Sequence, residues 1–126
     1  MRRLFVTLAT IGLLAGCTSS NTAQRYLDTA GMYEGTLPAA DCPGIRTTLN
    51  LRADKTYHRT SDYLERGVIL DETGQWSLTD QGTIELRPRG EKSYRLETTD
   101  KGVRFLSPEG EPLKGDKAKA YELKRI

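Results

Sequence analysis

From Gly31 onward, apolar and polar residues alternate with period two in short runs. "GMYEGTL" (Gly31–Leu37) sets Tyr33, Gly35 and Leu37 on one side, and "IRTTLNL" (Ile45–Leu51) does the same for Ile45, Thr47, Leu49 and Leu51. A tight turn at Ala53–Thr56 leads into "TYHRTSDYL", where Tyr57, Arg59, Ser61 and Tyr63 share a side. A looser segment follows. "GQWSLT" then brings Trp76 and Leu78 together, "TIELRP" Ile84 and Leu86, "SYRLET" Tyr94 and Leu96, "VRFLS" Val103 and Phe105, and "AYELKRI" Tyr121 and Leu123. Period-two runs bounded by Gly, Asp and Pro predict strands. About eight of them, joined by short turns, predict an all-β fold: a small antiparallel sheet closed into a barrel or folded as a sandwich. Closure also removes exposed edges. "GDKAKAYELKR" is read as strand, because Tyr121 and Leu123 alternate. The only helix expected is one turn at Ala23–Leu27, with Tyr26 and Leu27 against the domain edge.

The first residues follow another pattern. Arg2 and Arg3 precede an apolar run, Leu4–Leu14, and small residues lead to Cys17. This is the layout of a secretory signal, too short for a comfortable membrane span. "LAGC" (Leu14–Cys17) resembles a bacterial lipobox, in which the cysteine is acylated and the chain is cut before it. That implies a signal peptide over residues 1–16, a lipid-anchored tether over 17–30 and a folded domain over 31–126. Thr18 and Ser19 are not the aspartate that resembles an inner-membrane retention signal, which points to the outer membrane, periplasmic face. No later stretch is apolar enough to span a bilayer.

Charge adds an exclusion. The chain has 19 basic and 17 acidic residues, and Arg2 and Arg3 leave with the signal, so the remaining domain is neutral. No block of like charge remains, which argues against nucleic acid as a partner. The periplasm is oxidising. With Cys17 acylated, Cys42 is the odd cysteine: a reactive thiol, a metal ligand or a turn residue.

"MYEGTLPAADCPGIRTTLNLRADKTYHRTSDYL" resembles the N-terminal domain of the NlpE family of envelope-stress and copper-resistance lipoproteins. Tyr33, Gly35, Leu37, Pro38, Ala40, Asp41, Cys42, Gly44, Ile45, Thr48, Leu49, Leu51, Thr56, Tyr57, Tyr63 and Leu64 carry the resemblance. Gly74–Trp76, Ile84, Leu86, Gly110 and Leu113 extend it. The resemblance implies an eight-stranded, lipocalin-like β-barrel, whose interior holds side chains or one small ligand. The Pro38–Gly44 loop would join the first two strands at a barrel end. Two departures matter. The family's P-C-A-D-C motif reads Pro38-Ala39-Ala40-Asp41-Cys42, so its C-x-x-C pair is broken. The chain also ends at Ile126, where longer members add a second domain, so signalling that depends on that domain is not expected to carry over.

Copper(I) favours two or three soft ligands. Besides Cys42, the candidates are Met32 and His58. As the sole histidine, His58 cannot build the common zinc arrangements, and it reads more simply as an exposed strand residue. In the loop, Pro38 and Pro43 stiffen the backbone, Asp41 caps a turn and Gly44 supplies a positive φ. Tyr57, Arg59, Tyr63, Trp76 and Phe105 are candidates for lining a cavity, as pockets mix apolar walls with a few polar groups. An inward Arg59 needs an acidic partner or an anionic ligand head. No nucleophile motif, HExxH or phosphate loop is present, so an enzyme is not expected. Beside a lowest-ranked third, a cell-wall hydrolase inhibitor inserting the Pro38–Gly44 loop into its enzyme's cleft, two function classes remain. One is binding of an envelope protein partner, in copper tolerance or in envelope-stress and surface sensing. The other is carriage of a small hydrophobic ligand.

Overall fold

The structure, a computed structural model, describes residues 17–126, with side chains from residue 22 onward. The predicted signal peptide and the Cys17 side chain lie outside what is described. Eight strands form one closed antiparallel barrel: β1 (Gly31–Leu37), β2 (Ile45–Leu51), β3 (Thr56–Tyr63), β4 (Val68–Leu78), β5 (Ile84–Pro88), β6 (Tyr94–Thr98), β7 (Gly102–Phe105) and β8 (Glu122–Arg125). Each strand pairs with its neighbour in sequence, and β8 returns to β1 through Tyr33↔Arg125 and Glu34↔Lys124. The alternation predicted from sequence is the inward face. Tyr33, Leu49, Leu51, Tyr57, Trp76, Ile84, Leu86, Leu96, Val103 and Leu123 are all buried there.

Three elements depart from the sequence reading. The Ala23–Leu27 turn is part of a longer helix, α1 (Cys17–Thr29). Its sequence is rich in Ser and Thr, which have weak intrinsic preference for helix. Tertiary contacts compensate. The Tyr26 ring packs 5.0 Å from that of Trp76, the Tyr26 hydroxyl accepts from the Leu78 N–H at 3.0 Å, and Arg25 donates to the Thr79 carbonyl at 3.3 Å. Next, the segment read as loose is the first half of β4, which runs from Val68. Its three consecutive apolar residues, Val68, Ile69 and Leu70, hide the alternation. Finally, Asp116–Ala120 forms a short helix, α2, and β8 starts only at Glu122.

Following the strands gives the barrel two unlike ends. At one, α1 lies across the opening and Trp76 donates its indole N–H to the Arg52 carbonyl at 2.8 Å. Arg125 clasps the same end, donating to the Ala30 and Asp28 carbonyls at 3.1 and 2.6 Å and to the Tyr33 hydroxyl at 2.7 Å. The other end carries the β1–β2 loop, the β3–β4 and β5–β6 turns, and the α2 segment. That end is the mouth.

Candidate functional site: the barrel mouth

Inside the mouth the apolar core gives way to a polar chain. Arg59 on β3 and Glu72 on β4 are register partners facing inward. They do not form an ion pair with each other: no ion pair among the described residues includes Arg59. Glu72 Oε2 instead accepts from the Tyr57 hydroxyl at 2.7 Å and from the Tyr94 hydroxyl in a shorter bond. Arg59 donates to the Tyr94 oxygen at 3.0 Å. Its guanidinium lies 5.0 Å from the Phe105 ring centre and 5.6 Å from that of Tyr94, within cation–π range. Burial raises both Tyr57 and Tyr94 well above the ordinary phenol range, with their bonds to Glu72 adding to the effect. For Tyr94, the nearby Arg59 charge opposes that rise. Both phenols stay protonated donors.

Two cavities open on either side of Arg59. One, of about 450 Å³, is walled by Leu37, Tyr94, Phe105, Leu113 and Tyr121, with Lys117 beside it. The other, of about 480 Å³, is walled by Tyr63, Leu70, Glu72, Arg89 and Glu91. Of the predicted cavity residues, Arg59 lines both, Phe105 the first and Tyr63 the second. Trp76 lines neither and is sealed against α1 at the closed end. Tyr57 is buried between the closed core and the mouth. Sequence reasoning missed Glu72 and Lys117. Extending the inward parity of Trp76 and Gly74 two residues back would have found Glu72. Nothing local marks Lys117, which is brought to the mouth by the fold of the β7–β8 connection.

The β3–β4 hairpin forms one lip of the mouth. β5 pairs with β4 only from Gly74 to Leu78, with one further bond from the Arg89 N–H to the Thr73 carbonyl at 3.3 Å. Val68–Glu72 therefore has β3 on one side and, among the described residues, no strand on the other. Peptide groups alternate in direction along a strand. The Thr73 carbonyl faces β5 and the Trp76 N–H faces the β3 side, bonding to the Lys55 carbonyl at 2.9 Å. By that alternation the peptide groups of Ile69 and Asp71 face the open side. Val68, Ile69 and Leu70 are 43%, 61% and 53% exposed.

The Pro38–Gly44 loop does join β1 to β2, and it packs against this hairpin. Arg66 donates to the Asp41 carbonyl at 3.0 Å and pairs with its carboxylate at 3.6 Å; the Leu64 N–H donates to the Gly44 carbonyl at 3.0 Å. Asp41 thus faces the neighbouring hairpin. Gly44 is not in a positive-φ conformation. Its lack of a side chain serves close approach instead: a Cβ there would lie 2.5 Å from the Thr36 methyl group. Pro38 and Pro43 are exposed. Cys42 is half-buried, with its thiol 3.3 Å from the Gly44 carbonyl.

The model of the NlpE N-terminal domain family matches residues 33–116. The chain belongs to the NlpE family. Over 97% of its length it is 34% identical to the 17 kDa lipoprotein of Treponema pallidum, of which it covers 85%. It is also 34% identical to lipoprotein NlpE of Escherichia coli over 64% of this chain and 35% of that protein. A crystal structure of a lipoprotein candidate from Shewanella oneidensis superposes with a TM-score of 0.69 at 34% identity, covering 83% of this chain and 95% of that one. The crystal structure of the Cpx pathway activator NlpE from E. coli gives a TM-score of 0.60 at 27% identity, over 68% of this chain and 46% of that one.

In this NlpE-family barrel the three soft-ligand candidates do not converge. Met32, Asn50 and His58 form one row across β1, β2 and β3. Cys42 sits beyond Ile45, five residues further along β2, or about 17 Å at 3.4 Å per residue. His58 is engaged with Asp71, Nε2 to Oδ1 at 2.8 Å, on the outer surface. No group of three or more His, Cys, Asp or Glu among the described residues is placed to hold a metal. A lone thiol does not fit a selective copper(I) site.

Proposed function

We propose that this NlpE-family chain is a membrane-anchored envelope lipoprotein, acylated at Cys17 and held on the periplasmic face of the outer membrane. It acts by binding a protein partner in envelope-stress or surface sensing, and any copper tolerance follows from that response rather than from metal held by the barrel. One observation carries the reading. Val68–Glu72 offers outward-facing peptide groups at Ile69 and Asp71 beside three exposed apolar side chains. Such an edge accepts an added strand from a partner, with main-chain bonds giving affinity and side chains giving selection. The name of the E. coli relative, an activator of the Cpx pathway, supports a signalling role.

The test is made in a Gram-negative host that lacks its own family member, with an envelope-stress reporter and copper survival as readouts. Ile69→Pro removes an N–H that the β3 pairing does not use, and Ile69→Lys charges the lip. Both are expected to abolish the response while circular dichroism and export remain those of the parent. Cys42→Ser is expected to keep it. A full response from both Ile69 variants would overturn the hairpin as the contact. Tight copper(I) binding lost in Cys42→Ser would overturn the indirect account of copper.

A further inference from the structure

We propose that the apolar cavity at the mouth binds a single-chain fatty carboxylate, its head on Arg59 and its tail among Leu37, Phe105, Leu113 and Tyr121. Arg59 is the starting point. A guanidinium has five N–H donors, and among the described residues this one donates only to the Tyr94 oxygen. Its Nε is buried with no partner. Leaving such a donor unmet is costly, and a buried charge is normally paired. The nearest inward carboxylate makes no direct bond to it: Glu72 takes two phenol protons on one oxygen, and only the Tyr94 hydroxyl bridges it to Arg59. Apart from its two ring contacts and one phenol, Arg59 therefore presents a charge without a direct carboxylate partner among the described residues.

The two cavities that share Arg59 differ in sign. The one beyond Glu72 is also lined by Asp71 and Glu91, and these three carboxylates outweigh Arg59 and Arg89, which disfavours an anion there. The other has no carboxylate in its lining, mostly apolar walls, and a second cation, Lys117, exposed at its rim. An acid head entering there meets Arg59 at the base and a matching field at the entrance. Its tail covers apolar surface that now faces water. At about 450 Å³ the space falls in the range of small-ligand pockets, about 300–1,000 Å³. One chain is specified by that size, and a monoanion by a single deep guanidinium. Carboxylate geometry matches the planar fork of arginine. The site is distinct from the hairpin edge, so it stands or falls separately from the partner reading.

The experiment is calorimetric titration of the chain from Thr18 onward, which contains the whole closed barrel with α1. Dodecanoate below its micelle concentration is the probe, beside dodecanol and acetate. The expected result is one saturable site for dodecanoate, at least tenfold weaker in Arg59→Met and partly restored in Arg59→Lys. Dodecanol is expected to bind equally weakly to parent and Arg59→Met, and acetate not measurably. Leu113→Trp, which fills the cavity and leaves Arg59 in place, is expected to abolish dodecanoate binding, and it decides the matter if Arg59→Met fails to fold. Ile69→Lys is expected to bind like the parent. No saturable dodecanoate binding overturns the proposal. So does affinity unchanged in a folded Arg59→Met and in Leu113→Trp, or dodecanol binding as tightly as dodecanoate.

Discussion

The two ends of this barrel use the same inward positions for opposite purposes. At the closed end, Trp76, Leu51 and Leu123 fill the interior, α1 covers it, and polar atoms meet fixed backbone partners. At the mouth, the same inward parity delivers Arg59, Glu72 and Tyr94, and a strand is left without its neighbour. The difference teaches where each kind of residue goes. Apolar bulk is placed where it can be sealed. Charge and unpaired backbone are placed where something outside the chain can reach them, a common arrangement for binding sites on a rigid scaffold.

The sharpest break of that contrast is Trp76→Ala. It removes a fully buried indole, its bond to Arg52 and the seat of Tyr26. A loss of about 3–5 kcal/mol is expected from cavity formation at such a site, read from urea unfolding. In the mouth, Glu72→Leu leaves the Tyr57 and Tyr94 hydroxyls without their acceptor. The expected cost is smaller, about 1–3 kcal/mol, as for stranded buried donors. A near-neutral result would mean that water replaces Glu72 and that the mouth is wetter than the closed end.

Alkali probes the same asymmetry. Tyr57 and Tyr94 have folded pKa values raised by burial. The folded chain then keeps protons that the unfolded chain releases. Stability is full below the free-phenol value of about 10 and falls as pH climbs beyond it. Tyr57→Phe is expected to flatten that fall between about pH 10 and 12. At the closed end, burial also raises Tyr33, but the Arg125 charge pulls the other way, so Tyr33→Phe is expected to flatten it less. The smallest effect on stability belongs to Ile69→Lys, within about 0.5 kcal/mol because the side chain is exposed. A larger cost there would show that the hairpin tip packs on something in the free protein.

The barrel was legible wherever one face is buried and the other wet. β1, β2 and β5 are read from alternation alone, with their boundaries nearly intact. The reading failed where this condition lapses. In Val68–Leu70 both faces are exposed and apolar, so no parity is visible, and Glu72 went unnoticed with them. Tyr26 packs against the domain edge as the sequence suggests, but Leu27 is exposed instead, and the polar composition of α1 hid its full length. Arg59 was placed inward by parity with Tyr57 and Tyr63. Its partner Tyr94 comes from β6, and only closure of the sheet brings them together.

The β1–β8 seam has a consequence for how the chain reaches this state. Every other strand pairing joins neighbours in sequence, and all but β7–β8, which the α2 segment separates, can zip as local hairpins. The seam must bring Tyr33 to Arg125, nearly the whole length of the domain. Loop closure of that span costs entropy before its contacts return any. The seam is therefore expected to be the slow, late event, and until Arg125 arrives the barrel is an open curl with two sticky margins. During synthesis from the N-terminus, that order keeps the margins apart until β8 (Glu122–Arg125) is available to close them.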